Sequence, residues 1–323
     1  MAETVRARPP LPGTPDVADC FLYGVYTHNE RNGRRFADEL VIPHVLLDLE
    51  LALARPEIQC VYVGNHPRHH AETVEAALLG GKHVFCEPPL ALTTAAIAAL
   101  QGLATTRGLV LAANYRWRLD PLLLRMRTLL EEEAIGELLG GRISNTLFLP
   151  PSRQSWRLQT PGGGVILDRT LHDLDTLMAL LGMRVGEVQC LASQRLLGTD
   201  VEEEIIGAVK LVGGLTVQLF DSFLLPHVPV MIDFYGSNGQ LQATSCDPGN
   251  PGAGLHLQRN GYITPVAVPR YDPRGAALEG VVAAVRHGNP APVGSGDDMR
   301  ALAAALAMVE SARTGGIAQR ARP

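Results

Sequence analysis

Short apolar runs alternate with longer amphipathic stretches through the first third of the chain. Cys20–Tyr26, Ile58–Val63, His83–Cys86 and Leu109–Ala113 read as buried strands. Between them, Asn29–Leu40, His70–Leu79 and the Ala/Leu-rich Thr93–Thr106 have helical character. Strands separated by helices at this spacing predict βαβ units and a parallel sheet covered on both faces. The pattern changes near Pro121. A helix through Leu122–Glu133 and a strand over Gly141–Leu149 lead to the stretch Gly162-Gly163-Gly164-Val165-Ile166-Leu167-Asp168-Arg169-Thr170-Leu171-His172-Asp173-Leu174-Asp175, where three glycines precede an apolar-periodic run that reads as a helix. From Val188 to Val268, seven strand-like runs follow one another with turn signals such as Gly213-Gly214 and Ser237-Asn238-Gly239 between them, which predicts a largely antiparallel sheet. Helices at Ala276–His287 and Asp297–Thr314 close the chain, the second stopped by Gly315-Gly316.

At 323 residues the chain exceeds one ordinary core, so we expect two domains, 1–121 and 122–323. Residues 1–18, rich in Pro, Gly and Arg, read as a loose leader. A composition 46% apolar and 19% charged suits a folded globular protein. The net charge of −5, without a basic run, argues against nucleic acid as a partner. The first thirty residues hold no apolar core flanked by positive charge and no run approaches membrane-spanning length, so we expect no targeting segment and a cytoplasmic protein. The cysteines, Cys20, Cys60, Cys86, Cys190 and Cys246, lack the spacing of a disulfide framework or a zinc site. Only Lys82 and Lys210 are lysines, so amines for proton transfer are scarce.

Candidate chemistry centres on the post-glycine helix. On α-helical spacing, Asp168, His172 and Asp175 share one face, and a carboxylate one turn from an imidazole orients the ring and raises its basicity. We therefore expect an Asp168–His172 proton-transfer pair and no metal, since a helical triad leaves ligands short. Glu202-Glu203-Glu204 and Glu131-Glu132-Glu133 read as solvated faces, and the Pro88-Pro89 bond as trans by default.

Four stretches together carry a likeness. Gly81-Lys82-His83-Val84-Phe85-Cys86-Glu87-Pro88-Pro89-Leu90-Ala91-Leu92-Thr93, Arg118-Leu119-Asp120-Pro121, Trp156-Arg157 followed by Gly162–Asp175, and Ala291-Pro292-Val293 through Gly315 occur in the order found in the glucose–fructose oxidoreductase/inositol dehydrogenase (Gfo/Idh/MocA) family. The chain resembles that family from about residue 20 to residue 316. The resemblance implies an N-terminal dinucleotide-binding domain and a C-terminal α+β domain whose open sheet forms oligomer contacts. It also implies catalytic roles for His172 and Asp168, and substrate contacts from Tyr115, Arg118, Trp156, Arg157 and Asp175. Asn65, His66, Pro67, Glu87 and Pro88 match the loops that touch the cofactor.

Three departures lie in the cofactor half. Residues 1–80 hold only Gly13, Gly24, Gly33, Gly64 and Gly80, with no Gly-rich turn to cradle a pyrophosphate. Thr27 stands where an acidic residue normally holds the ribose. Pro88 replaces the family's lysine. On these grounds we expect an incomplete Rossmann-like domain, lacking its first strand and turn, followed by an open, largely antiparallel sheet domain with helices on one face. The expected function is nicotinamide-independent acid/base chemistry (lyase, hydratase or isomerase) on a small polar substrate of sugar, polyol or cyclic-acid type. No cofactor is expected, the loop of Asn65–Pro67 with Glu87 and Pro88 being vestigial, and the C-terminal sheet is expected to form a homodimer or higher oligomer. Two alternatives are an NAD(P)-dependent oxidoreductase whose start is misassigned and a catalytically silent partner or ligand-binding subunit.

Overall fold

The structure, a computed structural model, describes residues 20–244 and 252–322. The loose leader expected at residues 1–18 and Cys246 lie outside these residues. The elements in chain order are β1 (Gly24–Tyr26), α1 (Glu30–Leu40), β2 (His44–Leu46), α2 (Leu49–Leu53), β3 (Cys60–Val63), α3 (His70–Leu79), β4 (His83–Cys86), α4 (Thr94–Arg107), β5 (Leu111–Ala113), α5 (Pro121–Glu131) and β6 (Leu138–Thr146). There follow α6 (Leu171–Leu181), β7 (Val185–Ser193), β8 (Glu204–Leu211), β9 (Thr216–Ser222), β10 (Met231–Gly236), β11 (Gly239–Thr244), β12 (Gly254–Arg259), β13 (Tyr262–Val266), α7 (Pro273–His287), α8 (Ser295–Arg313) and β14 (Gln319–Arg320).

The N-terminal strands are parallel, as the βαβ spacing requires: β1 pairs with β2, and β3, β4 and β5 form a second ladder in that order. Helix boundaries follow side-chain chemistry. Asn29 caps α1, Thr93 caps α4, and Asp120 with Pro121 opens α5, each side-chain oxygen accepting an orphan N–H of the first turn. Glycines in the left-handed region, Gly108 and Gly182, end α4 and α6. Two small elements, β2 and α2, escape the periodicity because each is shorter than a pattern can declare.

The C-terminal half is a nine-stranded sheet in the order β13-β12-β11-β10-β6-β9-β8-β7-β14. All its pairs are antiparallel except β6 with β9, so the expected largely antiparallel sheet is observed. Helices α5, α6 and α8 lie on one face. The main core is continuous from Val63, Val84 and Leu100 through Leu174 and Leu177 to Val209, Leu219 and Met308. A smaller cluster, Phe85, Ala112, Ala277 and Val281, shows α7 reaching back to cover β4 and β5. The segment entering α8 is stitched to β5, with Ala113 N–H donating to Val293 O at 3.1 Å. Among the described residues, no helix is long and apolar enough to cross a membrane.

Candidate active site

The glycine run shapes the entry to α6. Gly164 has φ +100°, and a Cβ there would lie 2.3 Å from Glu202 Oε1. Only glycine admits both the backbone and that carboxylate. Glu202 in turn accepts from Ile166 N–H at 3.2 Å, and its backbone oxygen accepts from Val165 N–H at 2.9 Å. Glu203 is fully buried and accepts three backbone N–H groups, those of Arg195 (2.7 Å), Leu196 (2.6 Å) and Leu197 (2.6 Å). Glu204 accepts from Ser222 Oγ at 3.0 Å. The solvated acidic face expected here is therefore corrected: its carboxylates hold the loop and the helix start.

Residues Ile166–Thr170 form a π turn before α6 begins. A π turn takes more residues per turn than an α-helix, so Asp168 and His172 no longer stack as a regular i,i+4 pair. Asp168 instead pairs with Arg157, whose Nε lies 3.1 Å from Oδ1. Among the described residues, neither ring nitrogen of His172 has a carboxylate partner. The half-buried ring packs against Tyr115 (centroids 5.4 Å apart) and Trp117 (6.5 Å). Burial, then the guanidinium charges of Arg169 and Arg116, push its pKa down to about 3. The expectation that Asp168 raises the basicity of His172 is thus replaced by a ring held neutral.

Below the π turn lies a buried polar cluster. Asp221 accepts from Asn145 N–H at 3.2 Å and from the Thr170 hydroxyl; Asp173 accepts from Asn145 Nδ2 at 2.8 Å. Arg169 donates to Asn145 Oδ1. Burial and the neighbouring Asp221 push the Asp173 carboxyl well above the ordinary carboxylate range.

The remaining candidates group into three sets. Arg118 makes a two-pronged pair with buried Asp175, at 2.6 Å from Nη2 and 2.9 Å from Nε, and also approaches Asp297 at 3.3 Å. Burial pushes Asp175 up to about 6 against the pull of Arg118. Tyr115, 2% exposed, donates its hydroxyl to Asp298 at 2.8 Å. Trp156 lies 5.3 Å from the His66 ring, with the Arg157 guanidinium 4.5 Å over its own ring. Sequence reasoning missed Asp297 and Asp298, which a closing helix does not advertise as site residues.

The loops leaving the carboxyl ends of β3, β4 and β5 meet at one edge, where open parallel sheets bind nucleotides. Glu87 accepts from Asn114 Nδ2 at 2.8 Å and from the Tyr62 hydroxyl. Because a carboxylate only accepts, the Asn114 amide must present Oδ1 on its other side. That Oδ1 and His66 Nε2 are buried without a hydrogen-bond partner among the described residues. His66 Nδ1 accepts from Arg68 N–H at 3.1 Å, which fixes Nε2 as a donor. A donor and an acceptor left open at this edge fit the carboxamide of a nicotinamide. Asn65 donates to Thr73, while Pro67 lies beside Gly162. The Pro88–Pro89 bond is cis, not trans. Lys82 sits at the opposite end of β4 from Pro88 and donates to Arg55 O at 2.8 Å. Among the described residues no cluster of metal-ligating side chains is found.

A parallel nucleotide-type sheet, an open antiparallel sheet and a histidine between them define a two-domain oxidoreductase architecture. The chain belongs to the Gfo/Idh/MocA family: residues 12–115 match the profile described as "Oxidoreductase family, NAD-binding Rossmann fold", and residues 123–242 match the family's C-terminal domain. It is 31% identical over 291 residues to 1,5-anhydro-D-fructose reductase of Ensifer adhaerens, covering 89% of this chain and 87% of that protein. It is 27% identical to myo-inositol 2-dehydrogenase of Thermotoga maritima, over 53% of this chain and 51% of that one. Levoglucosan dehydrogenase, solved in complex with NADH and levoglucosan, shares the fold with TM-score 0.82 at 19% identity, covering 94% and 90% of the two chains.

These findings overturn two expectations. The reading of nicotinamide-independent lyase, hydratase or isomerase chemistry, and with it the expectation of no cofactor and a degenerate NAD site, is corrected. The NAD-binding family model matches residues 12–115, and the relatives are reductases and dehydrogenases. The described residues still hold no Gly-rich turn at a strand–helix junction.

Proposed function

We propose that this protein is an NAD(P)-dependent oxidoreductase of a sugar or polyol. The near-full-length similarity to a sugar reductase supports this most strongly. The carboxyl edge of β3–β5 would hold a nicotinamide cofactor, whose chemistry there would be to supply or accept a hydride. His66, Asn114 and the Glu87–Pro89 segment would hold the cofactor there.

The chain's own residues handle the proton. Among the described residues the ring nitrogens of His172 have no hydrogen-bond partner, so the ring is placed to accept the hydroxyl proton when an alcohol is oxidised and to return it when a carbonyl is reduced; burial with the Arg169 and Arg116 charges lowers its basicity, so this role rests on its position. With Pro88 in place of lysine and neither Lys82 nor Lys210 near the ring, no amine shares that task. Asp168 steadies Arg157, and Arg157 with Trp156 forms a polar-aromatic wall suited to hydroxyl-rich rings. Arg118 and Asp175 brace the segment one turn beyond the histidine.

The test is turnover of NADH and NADPH with a panel of keto-sugars and aldoses, and of the oxidised cofactors with inositols and anhydro-sugars. We expect cofactor- and substrate-dependent turnover that His172→Ala lowers by about a hundredfold or more. Turnover unchanged in that variant would remove His172 from the chemistry.

A further inference from the structure

Asp298 lies near the N-terminus of α8, far along the chain from the glycine-run helix, yet it is fully buried beside the site. Its two oxygens are used by two separate segments. Oδ1 accepts from the Tyr115 hydroxyl at 2.8 Å, and Oδ2 accepts from Leu90 N–H at 2.9 Å. Tyr115 follows β5 and packs against His172; Leu90 follows the Glu87–Pro89 segment at the cofactor edge.

A carboxylate taken out of water is costly unless its lone pairs are met. Here two donors meet them, and the first turn of α8 adds the favourable end of its dipole. Burial nonetheless dominates, and the Asp298 carboxyl is pushed up to about 7. A helix that served only to pack would place an apolar side chain at this point. The helix is itself fixed, since Val293 O and Gly294 bridge to β5 just before it. The Asp298 oxygens are therefore anchored relative to the parallel sheet, and Tyr115 and Leu90 are anchored to them.

We propose that Asp298 is a positioning residue for the reaction, holding the Tyr115 ring against His172 and, through Leu90, the loop that ends at the cofactor edge. It touches neither substrate nor cofactor. This inference rests on the oxidoreductase reading for its kinetic consequence, but its structural consequence can be measured without any substrate. The aromatic ring of Tyr115, 5.4 Å from the imidazole, shifts the resonances of His172, so displacement of Tyr115 registers directly in the spectrum.

The experiment compares Asp298→Ala, Asp298→Asn and Tyr115→Phe in the full chain. Alanine leaves both donors without an acceptor. Asparagine still serves both, its oxygen accepting from Leu90 and its amide donating to the Tyr115 oxygen. Phenylalanine keeps the ring but cuts its tether. We expect Asp298→Ala and Tyr115→Phe each to lower kcat by about tenfold with the sugar KM little changed. Both should shift the His172 ring resonances. Asp298→Asn should stay within about twofold of wild type, and the Asp298→Ala/Tyr115→Phe double variant should be no worse than either single change.

Wild-type kcat and unshifted resonances in folded Asp298→Ala would overturn the proposal, as would losses that multiply in the double variant. If Asp298→Ala does not fold, Tyr115→Phe carries the same test, because Asp298 then keeps Leu90. A shift of the His172 resonances in a protein that turns over no sugar with either cofactor would uphold the positioning role and sink the oxidoreductase reading instead.

Discussion

At the scale of single residues, the downward shift of the His172 pKa is a property that can be checked without any substrate. Burial and two arginines place its pKa near 3, below the ordinary 6.5. Following the ring protons by NMR against pH should show no titration between pH 5 and 8. A midpoint close to 6.5 would contradict the account. The same shift has a consequence for stability. Between 6.5 and about 3 the unfolded chain binds a proton at this ring and the folded chain does not, so the stability tied to the neutral ring is complete above pH 6.5 and declines as pH falls. His172→Asn removes that decline. Urea melts at pH 7 and at about pH 4.5 should show the variant gaining on wild type in acid. A constant difference at both pH values would deny the shift. Arg118 makes a different kind of contribution: Arg118→Ala leaves Asp175 buried without its partner and should cost about 3–5 kcal/mol in the same melts.

Among elements, the 162–181 segment shows what the sequence makes legible and what it does not. Three glycines followed by apolar periodicity announce a turn and a helix, and the 168–172–175 spacing marks the segment as the place for chemistry. The π turn was invisible because tertiary partners hold it: Asn145 from β6 and Asp221 from β9 bind Arg169, Thr170 and Asp173. Without them Asp168 and His172 would stack as a regular helix demands. The acid run Glu202–Glu204 misled for a related reason. A charged triplet reads as solvated unless one knows that three backbone N–H groups converge on Glu203. Glu203→Ala should therefore behave as the loss of a buried acceptor and destabilise the protein by about 1–3 kcal/mol or more. An unchanged thermal midpoint would show that the cap is dispensable. The parallel and antiparallel sheets, by contrast, were plain from strand spacing and turn signals, which are local.

For the whole molecule, the nine-stranded sheet leaves an outer face that asks for cover. Leu191, Ile206 and Phe220 stand in register across β7, β8 and β9, and Leu191 and Ile206 are each 62% exposed. An apolar row across a broad sheet suits a second copy of the same chain packed face to face, and we expect a dimer or higher homo-oligomer. Light scattering should report at least twice the 34.7 kDa chain mass, and Ile206→Glu should reduce it. The cofactor was the part least legible at this scale. A Gly-rich turn is a conspicuous local signal and residues 1–80 lack one, whereas the open polar atoms of His66 and Asn114 become visible only once β3 and β5 lie in one sheet. The direct test of the central claim is calorimetric titration of the purified protein with NADH and with NADPH. Saturable binding of at least one, with a micromolar dissociation constant weakened in an Asn114→Ala variant, is the predicted result; no saturable binding of either cofactor would contradict it.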